Sequence, residues 1–279
     1  MIVKCNSIKI NTNIDHLFCD WENTLNECVL YLELQYFENL DYNNYLEKIC
    51  YKEGFEYIFI SNNVIYTNTQ NIEYIETSLF STPLSIVAIM NNLFLLHCSS
   101  IYFNDQIVSF SGQSGSGKTT ILMRLINKFN VNIYSDDSIL LENTKSNVIC
   151  HQVLPLIKLT NNTASKCNIK INQHKIYKKT ILKHSFVNGQ KALNCIFIIK
   201  RSNNFSISQI ISPLSKSISL ANLIVGKDYI SPSIIDKSFE LRNNISQKIN
   251  IYTLSINSFN DEHLNSLYNF IKEIVKNDQ

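Results

Sequence analysis

Six glycines occur in the 279 residues, and three of them, Gly112, Gly115 and Gly117, fall within one six-residue stretch. A chain that avoids glycine elsewhere and concentrates it here is meeting a local demand for backbone conformations that L side chains resist. The stretch Gly112-Gln113-Ser114-Gly115-Ser116-Gly117-Lys118-Thr119 fits the pattern G-x-x-x-x-G-K-(S/T), with Thr120 following it. The residue types answer to a chemistry. Glycines let successive backbone N–H groups curl around an anion. A helix starting at the end of the loop aims its N-terminus at the same anion. Lys118 brings positive charge to the β- and γ-phosphates of a nucleotide, and Thr119 offers its hydroxyl to Mg²⁺. Residues 112–120 are therefore the candidate nucleotide-binding segment.

The flanking pattern suits that reading. Residues 93–103 form an apolar run that predicts a strand, Asn104-Asp105 a two-residue turn, and residues 106–110 a second strand antiparallel to the first. A helix is expected over 119–129, with Ile121, Leu122, Leu125 and Ile126 on its buried side. A strand over 131–134 then leads into Ser135-Asp136-Asp137-Ser138, and 139–142 continues extended. Further strands are expected at 153–159, 193–199 and 249–256, and a terminal amphipathic helix over 258–277, capped near Asn260 or Asp261. Residues 28–36 fit either a strand or a helix. Residues 57–66 read as a hairpin with an Asn-containing turn, and Ser81-Thr82-Pro83 opens a helix whose apolar face is Leu84, Val87, Ala88 and Met90. The polar stretches 160–185 and 202–245 give no clear assignment. The expected organisation is an α/β protein with a small N-terminal α+β region, residues 1–80, before a larger domain, residues 81–279.

Composition excludes several classes. The formal net charge is +2 with 17% charged residues, too little bias to argue for a nucleic-acid or membrane partner. The most apolar region, 83–96, is interrupted by Asn91 and Asn92 and is too short and polar to span a bilayer. None of the eight cysteines sits in a C-x-x-C pair, so no zinc or dithiol site is expected. Reduced thiols in a cytoplasmic protein are the default expectation.

Asp136 and Asp137 follow the strand after the loop's helix, where an open α/β sheet presents groups to its ligand. One carboxylate suits Mg²⁺ and a second suits acceptance of a proton from an attacking hydroxyl. His97 lies on the strand paired with the one that leads into the loop. By position alone it reads more readily as a core residue than as part of a site.

Leu96-His97-Cys98-Ser99, the hairpin, the loop 112–119 and Ser135-Asp136-Asp137, in that order, resemble the HPr kinase/phosphorylase superfamily. The likeness is greatest to the small HPr-kinase-like peptide serine kinases of ribosomal peptide natural-product clusters. The segment LPLIKL at 154–159 also resembles a strand of that family. The resemblance covers about residues 85–160 and does not extend into 1–80. It implies a P-loop core of the HPr kinase / phosphoenolpyruvate carboxykinase type. It implies transfer of the γ-phosphoryl group of ATP, with Mg²⁺, to a Ser or Thr hydroxyl of a peptide or small-protein acceptor. By the same resemblance Asp136 is the base, Asp137 and Thr119 hold Mg²⁺, and Lys118 and His97 bracket the transferred phosphoryl group. Relatives of this kind often assemble as homo-oligomers.

There are departures. HPr kinases proper carry a Pro-Gly-Arg-Asn-type loop whose Arg faces the reacting phosphate. The comparable stretch here is Val187-Asn188-Gly189-Gln190-Lys191, so Lys191, Lys200 or Arg201 would have to supply the cation. A basic stretch of His174, Lys175, Lys178, Lys179 and Lys183 suits an acidic acceptor peptide or simply a solvated face. Other readings of the loop are a kinase of a free small molecule, an ATPase or switch whose acceptor is water, and a non-catalytic peptide-binding relative.

Overall fold

The computed structural model describes residues 2–5, 7–14, 28–38, 45–52, 54–154, 156–167, 169, 175–176, 179–182, 185–224 and 231–277. The chain forms two units, residues 1–95 with 224–241, and residues 96–223 with 242–279.

The first unit is built on a six-stranded mixed sheet of β1 (Ile2–Cys5), β2 (Ile8–Thr12), β3 (Leu30–Tyr36), β4 (Glu47–Cys50), β5 (Glu56–Phe59) and β6 (Val64–Thr67). Its order is β1-β2-β3-β6-β5-β4. In β3 the residues Leu30, Leu32 and Leu34 are buried and Tyr31 is exposed, the two-residue period of a strand with one covered face. That period settles the ambiguity of residues 28–36. β5 and β6 are the expected hairpin. Helix α1 (Ile72–Ser78) is capped by Asn71, which accepts from the Tyr74 N–H at 3.2 Å. Helix α2 (Thr82–Met90) has Pro83 in its first turn, as expected, but all nine of its residues are buried rather than one face.

The run 93–103 is not one strand. It breaks at His97 into β7 (Leu93–Leu96) and β8 (Cys98–Phe103). In the second unit, β8 shares a sheet with β9 (Gln106–Ser111), β10 (Asn132–Ser135), β11 (Ile139–Asn143) and β12 (Val148–Gln152). The expected strand 153–159 is likewise divided: β12 ends before it, and β13 (Ile157–Leu159) joins a separate three-stranded sheet. Helix α3 (Lys118–Phe129) follows the glycine loop, and α4 (Asn161–Lys166) follows β13. The small sheet is completed by β14 (Lys175–Ile176) and β15 (Lys179–Leu182). The centre of the large sheet is the ten-residue β16 (Lys191–Lys200). β9 runs parallel along one edge of β16, while β12 and the parallel β18 (Asn250–Ser255) share the other edge at its two ends. β17 (Ser206–Gln209) adds to β18. The remaining helices are α5 (Pro213–Ala221), α6 (Pro232–Lys248) and α7 (Asp261–Asn277).

Register explains the core of this unit. Phe110, Phe197 and Tyr252 are lateral neighbours on β9, β16 and β18, and their rings stack in a row, with centroids 5.5 and 5.2 Å apart. Ile121, Leu122 and Leu125 of α3 and Leu264, Leu267 and Ile271 of α7 complete this core with them. Among the described residues no helix is long and apolar enough to cross a membrane.

Candidate active site

Three segments far apart in sequence meet at one end of the sheet, and strand direction brings them there. β8 is antiparallel to β9 and to β10, pairing Cys98 with Ser111 and Ser100 with Ser135. The start of β8 therefore lies beside the ends of both neighbours, which puts His97 and Ser99 next to the glycine loop and Asp136. The β8–β9 link is tight: Asn104 and Asp105 both take positive φ, 46° and 63°, as a two-residue hairpin of matching twist requires.

The loop's glycines have different reasons. Gly115 has φ +78° with open space around it, so it answers to backbone conformation alone. Gly117 has φ +103° and also faces the Phe259 ring, which would lie 2.7 Å from a Cβ placed there. Gly117 is also the N-cap of α3 and brings no side-chain acceptor, so that helix has no side-chain cap. Ser116 Oγ is buried with no hydrogen-bond partner. Lys118 is buried, and its Nζ donates to the carbonyls of Gly112 at 3.0 Å and Gln113 at 3.2 Å.

The two aspartates part company. Asp136 is 2% exposed, and its carboxylate accepts from Ser99 Oγ at 2.5 Å and Thr119 Oγ1 at 3.0 Å. Asp137 takes φ +78° and points its Oδ1 towards His97 Nε2, 3.6 Å away, with both side chains about a third exposed. Positive φ in a non-glycine residue is local strain of the sort that collects at functional sites, and Asp tolerates it better than most. Behind this pair the hairpin is lined with buried hydroxyls. Ser111 Oγ donates to the His97 carbonyl at 2.6 Å, and Ser100 and Ser109 bond each other at 2.9 Å. Cys98 shares this layer, and burial pushes its thiol up to about 12.

All the expected site residues except Gly112 and Gln113 line one cleft of 670 Å³. It is completed by Arg124 of α3, which carried no sequence signal, by Thr160, Asn162, Thr163 and Lys166 around α4, and by Ile256 to Asn260 between β18 and α7. Of the three candidate cations, Arg201 lines the cleft, and its Nη2 donates to the Gly115 carbonyl at 2.9 Å. Lys191 instead lies over the Tyr102 ring, 5.1 Å from its centroid, and Lys200 is exposed outside the cleft. His174, Lys178 and Lys183 of the basic stretch lie outside the described residues. Among the described residues, no three His, Cys, Asp or Glu side chains cluster so as to hold a metal ion. The hard oxygen donors the structure does bring together are Thr119 Oγ1 and the Asp136 carboxylate.

No family model matches the sequence, and no curated protein matches it. Among solved structures, the HPr(Ser) kinase/phosphatase from Coxiella burnetii is similar at a TM-score of 0.36 and 13% identity, covering 66% of this chain and 89% of that one. The likeness is a distant structural one.

Proposed function

We propose that this chain is an ATP-dependent kinase that transfers the γ-phosphoryl group to a Ser or Thr hydroxyl of a peptide or small protein. The observation that carries the reading is the convergence of the glycine loop, Lys118 and the Thr119–Asp136 pair in one cleft with His97 and Asp137. The acceptor class rests on the sequence resemblance. An ATP-consuming reaction fits a cytoplasmic setting.

The residues fit the ligands. Ser116 Oγ lacks a partner, the α3 N-terminus has no side-chain cap, and Thr119 and Asp136 are the hard donors Mg²⁺ prefers. Magnesium needs few protein ligands when phosphates and water complete its shell, so the lack of a cluster of three His, Cys, Asp or Glu among the described residues is no obstacle. Bound Mg²⁺ would neutralise charge on the β- and γ-phosphates. Lys118 exchanges its carbonyl acceptors for phosphate oxygens, and Arg201 is the cation at hand for the transferring group.

The hydrogen bonds favour exchanging the two aspartate roles expected from the resemblance. Asp136, buried behind Thr119 and Ser99, belongs on the Mg²⁺ side. Asp137, outward and beside His97, is the base. The acceptor oxygen bonds to the γ-phosphorus as the bond to the β,γ-bridging oxygen breaks, ADP leaves, and the hydroxyl proton passes to Asp137.

The test is incubation with ATP, Mg²⁺ and candidate acceptors (precursor peptides, HPr, free serine), followed by mass spectrometry. One phosphoryl group on a peptide hydroxyl, absent with Asp137→Asn, supports the reading. ADP released without a phosphorylated acceptor, equally by the variant, would move the assignment to an ATPase or switch.

A further inference from the structure

Arg124 lies outside the glycine loop, yet it reaches two separate segments of the cleft. Its Nη1 donates to the Phe259 carbonyl, and its Nη2 donates to the Lys166 carbonyl at 3.3 Å. Phe259 lies between β18 and α7, and Lys166 ends α4. A guanidinium is a planar fork that holds two acceptors at a set separation, which a lysine ammonium does not. Arg124 thereby fixes the spacing between these two walls.

The Phe259 wall is held from other directions too. The Ile256 N–H donates to the Lys200 carbonyl at 2.9 Å, and the His263 N–H donates to Asn260 Oδ1 at 2.8 Å. The His263 ring bonds the Ser258 carbonyl at 2.9 Å and stacks on Phe205. So held, the half-buried Phe259 ring lies against Gly117, the last residue of the loop, with the exposed amides of Asn257 and Asn260 nearby in the chain. An aromatic face with amide groups, next to a phosphate site, suits a heterocyclic base: the ring stacks and the amides bond its edge. The cleft's 670 Å³ falls within the range of about 300–1,000 Å³ usual for small-molecule and cofactor sites.

We infer that this part of the cleft is a nucleoside subsite, with Phe259 as the stacking face and Arg124 as the positioning residue that sets its width. The phosphoryl donor is then a nucleoside triphosphate and not an inorganic polyphosphate. The inference rests on the phosphate-loop reading above.

Titration of the full chain with ATP and, separately, with tripolyphosphate, each with Mg²⁺, tests it without relying on turnover. Tripolyphosphate reports the loop alone. Phe259→Leu and Arg124→Lys are expected to weaken ATP binding by about tenfold or more while leaving tripolyphosphate binding unchanged. If both ligands weaken together, Phe259 and Arg124 merely brace the loop and the subsite is refuted. If neither changes, it is refuted equally. Should the unaltered chain bind neither ligand, and Lys118→Ala make no difference, the phosphate-loop reading itself fails and takes the subsite with it.

Discussion

The Asp136 part of the cleft and the Asn257–Asn260 part are made differently. Asp136, Lys118 and Ser99 are buried and hydrogen-bonded to fixed partners, whereas Asn257, Ser258 and Asn260 are exposed to solvent. The first part comes from a tight hairpin and strand ends locked in register. The second is a link between a strand and a helix, pinned by carbonyl contacts from Arg124 and His263. Groups that stabilise developing charge gain most when they are preoriented and shielded from water. Groups that choose among ligands tolerate solvent, because recognition needs complementarity at the moment of binding. The division of labour proposed for the cleft follows this contrast.

The largest break in the comparison should come from Lys118→Ala. If the buried part does the chemistry, phosphoryl transfer falls by about 10²–10³-fold or more, while the melting temperature moves little. Transfer that survives at a tenth of its rate would show that the buried part is structural.

Gly117→Ala strikes the point where the two parts touch. An alanine there must adopt φ +103° and meet the Phe259 ring. Backbone strain of this kind costs about 1–3 kcal/mol, before the clash. Urea unfolding should register the loss, and ATP binding should weaken in parallel. Adding Phe259→Ala should recover only the clash. Full recovery in the double variant would mean that conformation at Gly117 imposes no demand.

Much of the buried part was legible in the sequence, and the reason is physical. The loop needs particular residue types at fixed spacing, so it prints itself on the chain, and the Asn104-Asp105 turn does the same. The partners of Asp136 are harder to read: Ser99 lies 37 residues away, and only antiparallel pairing of β8 with β9 and β10 brings the two together. The break at His97 was hidden because no Gly or Pro punctuates residues 93–103, and both halves suit extended backbone. The stretches 160–185 and 202–245 left unassigned did carry signals. Thr160 caps α4 and Ser212 caps α5, and Pro213 and Pro232 open their helices. Those cues were masked by polar faces with little apolar periodicity. Arg124 had no signal at all, since its partners are main-chain carbonyls that any sequence supplies.

Ser99→Ala sharpens the comparison within the buried part. It removes the 2.5 Å donor to Asp136 and leaves the Thr119 hydroxyl on that carboxylate. Loss of one hydrogen bond to a charged group predicts about a tenfold fall in transfer rate, with the Mg²⁺ requirement raised. An unchanged requirement would detach Asp136 from the metal and return that role to Asp137.

The smallest effect concerns Cys98, which tests shielding directly. It sits beside Ser99 with no exposure, and burial raises its thiol to about 12, so at pH 8 only about one molecule in 10⁴ carries the reactive thiolate. Burial also denies a reagent access to that fraction. Treatment with iodoacetamide at pH 8 should therefore label the exposed Cys50, leave Cys98 unmodified in peptide mapping, and leave activity intact. Labelling of Cys98 that ATP suppresses would mean that the layer behind Asp136 opens to solvent between turnovers. The contrast between a fixed part and an adaptable part would then be one of populations rather than of construction.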